Sequence, residues 1–350
     1  MKSIDVVCFD SRSYDKEFLT AAAKDTPIRF TFFTERLDTH TTVLAQKVPV
    51  VCAFVNDNLS AEVVDDLYRN GTRLIAMRCA GYNNVDLKAA YGKVHVVRVP
   101  AYSPHAVAEH TVALILALNR KIPAAYNRTR NGNFALEGLM GFDLYGKTAG
   151  ILGTGKIGKE VIRILHGLGM RILAYDPYPD LEFATRCETT YTDLETLYRQ
   201  SDIVSLHLPL NDETYHIIDE AAVNTMKRGV MLINTSRGHL VDTTALIRGL
   251  KSGQIGYAGL DVYEEEDKYF FADHSTEVID DDVLARLLTF PNVIVTAHQA
   301  FFTRDALRNI AQTTVHNILA FYEGSPLENE ICYHCDNTCR KRHEGRCFNP

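Results

Sequence analysis

Lys147-Thr148-Ala149-Gly150-Ile151-Leu152, running straight into Gly153-Thr154-Gly155-Lys156-Ile157-Gly158, decides the fold of this chain. An apolar run of strand length stops at three glycines spaced G-x-G-x-x-G, and a helical pattern begins among them. The first glycine permits a tight turn, the second lets the backbone approach a pyrophosphate, and the third lets the helix lie close to the strand. Free N–H groups at the start of that helix then face the phosphates. The next strand, Leu173-Ala174-Tyr175-Asp176, ends on a carboxylate 18 residues after Gly158. Dinucleotide sites place there the acid that binds the ribose hydroxyls, and its charge repels a 2′-phosphate, so NAD is expected rather than NADP. A purely structural glycine turn would leave this order of strand, helix and acid without a reason.

The pattern around this segment is the same. Apolar runs of strand length alternate with helical stretches, which predicts an α/β protein with parallel sheets and crossover helices. Further strands are expected at 5–9, 29–33, 48–55, 73–78, 94–97, 202–206, 230–234, 257–262 and 292–296. Ser103-Pro104 reads as an N-cap followed by proline at the first helical position, opening a long helix that bridges two domains. The length of 350 residues suits two domains. A net charge of -7, from 37 Lys and Arg against 44 Asp and Glu, has the wrong sign for a nucleic-acid partner. The longest strongly apolar run, Val112 to Leu118, is seven residues, far short of the roughly 18 to 20 that span a bilayer. With no hydrophobic leader pattern in the first ten residues, the chain is expected to be cytoplasmic.

Ligands of open parallel sheets sit beyond the carboxyl ends of the strands, where loops from distant parts of the sequence converge. Arg237 follows the 230–234 strand, Glu266 the 257–262 strand and His298 the 292–296 strand. Together they offer a bidentate cation for a carboxylate, a proton donor, and an acid that stabilises the charged imidazole. Singly, each has a plainer reading: Glu264-Glu265-Glu266-Asp267 is also what a solvated loop looks like.

The glycine motif, Asn234-Thr235-Ser236-Arg237-Gly238, Asp261-Val262-Tyr263 with an acid five residues after Asp261, and His298-Gln299-Ala300-Phe301 together resemble the D-2-hydroxyacid dehydrogenases. The resemblance covers residues 1–330, including Arg78-Cys79-Ala80-Gly81-Tyr82-Asn83-Asn84 and Val99-Pro100-Ala101-Tyr102-Ser103-Pro104. It implies two Rossmann-like or flavodoxin-like parallel-sheet domains with the active site in a cleft between them. Residues 1–101 and 299–330 would form the substrate domain and 102–298 the NAD-binding domain. It further implies that Arg237 orients the substrate, His298 gives the proton and Glu266 pairs with His298. Cofactor contacts would fall on Gly153, Gly155, Lys156, Ile157, Gly158, Asp176, Leu208, Pro209, Thr214, Thr235, Ser236, Arg237 and Asp261. Substrate contacts would fall on Cys79, Ala80, Gly81, Tyr102, Arg237 and Phe301. Ala297 and Gln299 depart from the usual residues around the histidine without displacing it. Phe301 should narrow the pocket to a methyl-sized group, which makes reversible reduction of pyruvate to D-lactate the expected reaction. Bulkier 2-oxo acids or glyoxylate, and an NAD-sensing corepressor-like scaffold, are the rival readings. A homodimer or homotetramer is implied, built around the helix after Ser103 and the 127–141 segment.

Residues 331–350 stand apart. They carry Arg340, Lys341, Arg342 and Arg346 against Asp336 and Glu344, and four of the eight cysteines. Cys332, Cys335, Cys339 and Cys347 have spacing that suits zinc or an iron-sulfur cluster. Redox-switchable disulfides and simple decoration are the other readings of this tail.

Overall fold

A computed structural model describes residues 3–334 and 341–348. The strands, in chain order, are β1 (Ile4–Cys8), β2 (Ile28–Phe32), β3 (Val50–Ala53), β4 (Leu74–Met77), β5 (His95–Val97), β6 (Thr148–Leu152), β7 (Arg171–Tyr175), β8 (Thr189–Tyr191), β9 (Ile203–Leu206), β10 (Val230–Asn234), β11 (Ile255–Leu260), β12 (Val293–Val295) and β13 (Glu330–Ile331). The chain forms two compact units, residues 1–103 with 303–350, and residues 104–302.

The first unit holds a sheet in the order β13-β5-β4-β3-β1-β2. Its strands are parallel except β13, which pairs antiparallel with β5 through Glu330 opposite Val97. Successive side chains on a strand point to opposite faces. Val7, Val51 and Ile75 therefore enter one buried cluster, and Val6, Val50 and Leu74 enter the other. The second cluster is closed by Ala311, Val315 and Ile318 of the helix Arg304–Glu323. Thr303 caps that helix, accepting the Ala306 N–H at 3.2 Å. The tail returns to the β5 edge: Phe348 stacks on His95 with ring centroids 4.1 Å apart, and Glu330 accepts the Cys347 N–H at 2.7 Å. Cys332 and Cys347 are buried with Phe348 against Tyr91, whereas Cys335 and Cys339 lie outside the described residues.

The second unit holds a fully parallel sheet in the order β12-β11-β10-β9-β6-β7-β8. Both faces are covered, which is why these strands read as unbroken apolar runs rather than alternating ones. Leu152, Leu206 and Leu232 face one cluster, while Ile151, Ile203 and Met231 face the other with Ile115 and Leu118 of the helix Pro104–Asn119. The chain leaves β6 toward β7 on one side and later returns to β9 on the other. The glycine turn after β6 therefore sits at the switch in strand order, where a crevice opens for a ligand. Two short strands escape the sequence pattern, β8 and β13, of three and two residues. Among the described residues no helix is long and apolar enough to cross a membrane.

Candidate active site

Two of the three glycines do the structural work their spacing predicts. Gly153 has φ +93, and a Cβ there would lie 2.4 Å from the His207 carbonyl oxygen. A Cβ on Gly158 would lie 2.0 Å from the Gly153 oxygen, so helix and strand touch through hydrogen alone. Gly155 is different: a Cβ there would meet nothing within 4 Å. Packing within the fold therefore does not require glycine at this position. Gly155 is also the N-cap of the helix Lys156–Gly167, and no side chain caps it. The first-turn N–H groups are thus left to an anion, with Lys156 exposed beside them.

Asp176 lies just beyond β7, with one carboxylate oxygen accepting from the Thr154 N–H at 2.7 Å and from its Oγ1 at 3.0 Å. Tyr191 donates to the same Thr154 hydroxyl at 2.8 Å. The acid is therefore oriented before any ribose arrives. After β9, Leu208 is buried and Pro209 exposed, and Thr214 donates to the Pro209 carbonyl at 2.7 Å, closing that turn. After β10, Ser236 donates to the Leu206 carbonyl at 2.8 Å, and Thr235 shares a hydrogen bond of 2.9 Å with Thr111. The cradle for a dinucleotide is thus preformed, and its donors and its one open glycine fit NAD.

Arg237, Glu266 and His298 follow β10, β11 and β12, three neighbours in the sheet whose last residues lie in register. Adjacent strands run roughly 4.8 Å apart, so the three loops leave the sheet side by side. The first two loops touch closely: a Cβ on Gly238 would lie 2.1 Å from the Tyr263 carbonyl oxygen. Arg237 is half-buried, donates to the Ser236 carbonyl at 2.7 Å and, among the described residues, makes no ion pair. Glu266 accepts the Tyr263 N–H at 3.0 Å on one oxygen and meets His298 Nδ1 at 2.7 Å with the other. The two side chains are 16% and 19% exposed, dry enough to matter to each other and open enough to meet a ligand. Nδ1 being engaged, Nε2 is the nitrogen left to face a reactant.

His298 sits at φ +51, a left-handed conformation that costs a residue with a Cβ about 1 kcal/mol or more. Its loop is held there by Asp261. The Asp261 carbonyl accepts the His298 N–H at 2.7 Å, and its carboxylate accepts the Gln299 and Ala300 N–H groups at 2.9 Å each and the Thr296 hydroxyl at 2.5 Å. His110 Nε2 lies 3.3 Å from the same carboxylate. Burial alone would raise the Asp261 pKa, but hydrogen bonds from His110, Thr296 and Ala300 outweigh it and hold the group below its usual range. Asp261 thus spends its charge on positioning the histidine loop. His110 and Thr296 share that task, and neither stands out in the sequence. His207 is a further histidine of this unit, half-buried as a residue, with its ring's pKa pushed down to about 3 by burial and Nε2 2.9 Å from the Ser205 hydroxyl.

In the first unit, Cys79, Ala80 and Gly81 follow β4. Cys79 is buried, and its thiol donates to the Gly81 carbonyl at 3.3 Å, while Arg98 donates to the Ala80 carbonyl at 2.8 Å. Tyr102 has its carbonyl held by the Asn309 amide at 2.6 Å. Phe301 belongs to the second unit and is buried beside Phe302, with ring centroids 6.0 Å apart.

A parallel sheet with a glycine-rich phosphate cradle at its switch point and an Arg, Glu, His set at its carboxyl end defines a nucleotide-dependent oxidoreductase. Residues 112–300 match the family described as D-isomer specific 2-hydroxyacid dehydrogenase, NAD binding domain. D-lactate dehydrogenase of Escherichia coli is 49% identical over 324 residues, covering 92% of this chain and 98% of that protein. The 2-hydroxyacid dehydrogenase A of Aspergillus oryzae is 50% identical over 327 residues, covering 92% and 94%. A solved structure described as the pyruvate reductase of Chlamydomonas reinhardtii superposes with a TM-score of 0.89 at 44% identity, covering 93% of this chain and 98% of that one. The chain belongs to the D-isomer specific 2-hydroxyacid dehydrogenases, NAD-dependent oxidoreductases acting on a CH–OH group.

Proposed function

We propose that this chain reduces pyruvate to D-lactate, reversibly, with NADH as the reductant. The observation that carries the reading is the 2.7 Å contact between His298 and Glu266, with Arg237 after the neighbouring strand β10 as a half-buried guanidinium that has no ion pair among the described residues. Arg237 grips the substrate carboxylate with two parallel N–H donors, which fixes the 2-oxo group in place. His298 offers Nε2–H to the carbonyl oxygen and gives up its proton as negative charge develops there. Glu266 stabilises the charged imidazole that must start the cycle and fixes its ring. NADH, when bound, supplies the hydride to C2. In the reverse direction neutral His298 takes the hydroxyl proton. Backbone N–H groups of Cys79 to Gly81 as carboxylate donors, Tyr102 as a cover and Phe301 as the limit on side-chain size belong to the same proposal. The names of the relatives in Escherichia coli and Chlamydomonas reinhardtii support pyruvate as substrate.

Exposed Ile122, Tyr126, Phe134, Leu136 and Met140 mark a surface where a second copy of the chain would dock, so a homo-oligomer is part of the proposal. A cytoplasmic location suits Cys8 and Cys52, buried thiols on facing residues of β1 and β3. No tail metal enters this reading, since the cysteine spacing alone speaks for one. The test is kcat/KM for pyruvate, glyoxylate and bulkier 2-oxo acids with NADH and with NADPH. Pyruvate and NADH are expected to lead. A bulkier acid in first place moves the substrate, and no turnover of any moves the reading to a binding scaffold.

A further inference from the structure

His216, His239 and Glu264 stand outside the reducing machinery, yet each offers one ligand atom within 4.8 Å of the other two. They come from three loops of the second unit, after β9, β10 and β11. His216 Nε2 lies 3.1 Å from Glu264 Oε1. Among the described residues, that nitrogen and His239 Nδ1 are both buried without a hydrogen-bond partner. The short His216–Glu264 approach therefore lacks the alignment of a hydrogen bond. Buried imidazole nitrogens left unsatisfied are costly unless something outside the protein completes them.

The segments holding them are tied to one another. The His216 N–H donates to the His239 carbonyl at 2.8 Å, and the Ile218 N–H donates to the Leu240 carbonyl at 3.0 Å. Glu264 is oriented by the Thr243 N–H, 3.1 Å from Oε1. The Tyr215 ring lies against both imidazoles, with centroids 4.1 Å from His216 and 5.7 Å from His239. His216 itself is held at φ +49.

We propose that His216, His239 and Glu264 bind one transition-metal dication of the zinc type, with water in the remaining position. Two imidazoles and a carboxylate form a ligand set that zinc takes with an open fourth place. Ligands about 2.0–2.1 Å from a tetrahedral centre stand about 3.3 Å apart. The 3.1 Å between His216 and Glu264 already has that spacing, and the His239 ligand atom lies within 4.8 Å of both. The ion would tie the turn after Arg237 to the loop that carries Glu266, two residues beyond Glu264.

The test is Co²⁺ titration of the full-length, reduced protein beside His239→Gln and Glu264→Gln, with circular dichroism as the check on folding. Wild type is expected to bind one more equivalent than either variant. The difference spectrum should show visible cobalt bands without the near-ultraviolet charge-transfer band of a thiolate, which separates this site from the tail cysteines. Zn²⁺ should bleach those bands and raise the melting temperature of wild type more than that of the variants. Equal Co²⁺ binding by folded wild type and folded variants, no binding at all, or a difference spectrum dominated by the thiolate band would overturn the proposal. Should one variant fail to fold, the other, or His216→Gln, decides on the same readout.

Discussion

Both sheets end in charge, and they spend it in opposite ways. In the first unit Asp10, Asp57 and Arg78 follow β1, β3 and β4, and each is only 2% exposed. Arg78 donates from Nε to Asp15 at 3.1 Å and from a terminal nitrogen to the Asp10 carbonyl at 2.7 Å, with its face over the Phe54 ring. Asp57 accepts the Leu37 N–H at 2.7 Å and the Phe54 N–H at 2.6 Å. That network is buried and self-paired except at Arg78 Nη1, which has no hydrogen-bond partner among the described residues. In the second unit Arg237, Glu266 and His298 occupy matching positions but stay partly exposed, and Arg237 makes no ion pair among the described residues. What separates the two sets is exposure: the charges at the first sheet's end are sealed in the core, and those at the second remain open to a ligand.

The largest effect expected from this contrast is on catalysis. His298→Gln should lower kcat for pyruvate reduction by about 10²–10⁴-fold with little change in melting temperature. Arg78→Met should do the reverse. It strands buried carboxylates and should cost about 3–5 kcal/mol of stability in chemical denaturation, while any protein still folded turns over normally. Loss of activity without loss of stability in Arg78→Met would erase the distinction.

Asp57 sharpens the comparison through pH. Burial raises its pKa to about 6, against the pull of Arg78 and two backbone N–H groups. The folded state then holds this proton more tightly than the unfolded chain. Its stabilising contribution is full below the unfolded pKa near 3.8 and is lost as pH rises through about 6. Asp57→Asn removes that dependence. Its stability should gain on wild type by about 3 kcal/mol between roughly pH 3 and pH 7, whatever its offset. A constant difference across that range would show that Asp57 does not titrate abnormally.

The glycine turn carries both behaviours within six residues. Gly158→Ala forces a Cβ onto the Gly153 carbonyl and should cost about 1–3 kcal/mol. Gly155→Ala meets open space, so it should leave the melting temperature unchanged and raise KM for NADH. Equal melting losses in the two variants would mean that Gly155 serves the fold and not the cofactor.

The sequence made these parts legible to different degrees. The strand, glycines and Asp176 could be read because their roles are local: each depends on residues a few places away. Arg237, Glu266 and His298 could be read as candidates because each follows an apolar strand, and resemblance supplied their roles. Asp261 was legible as a motif, but its task was not, since it acts through Thr296, Gln299 and Ala300, more than thirty residues on. His110 and Thr296 offered no pattern at all. Glu264 passed for one more acid in a solvated run, because His216 and His239 meet it only once three loops are folded. β13 was invisible for a related reason: two residues have no periodicity, and what fixes them is β5.

The central claim, that His298 and its neighbours act on a 2-oxo acid from a preformed NADH site, is tested most directly by a single turnover. Enzyme loaded with NADH is mixed with pyruvate, in wild type and in His298→Gln, and the chirality of the product is read. The account predicts D-lactate from wild type, and from His298→Gln undiminished NADH binding with hydride transfer slowed by orders of magnitude. L-lactate, or transfer at an unchanged rate in the variant, would contradict it.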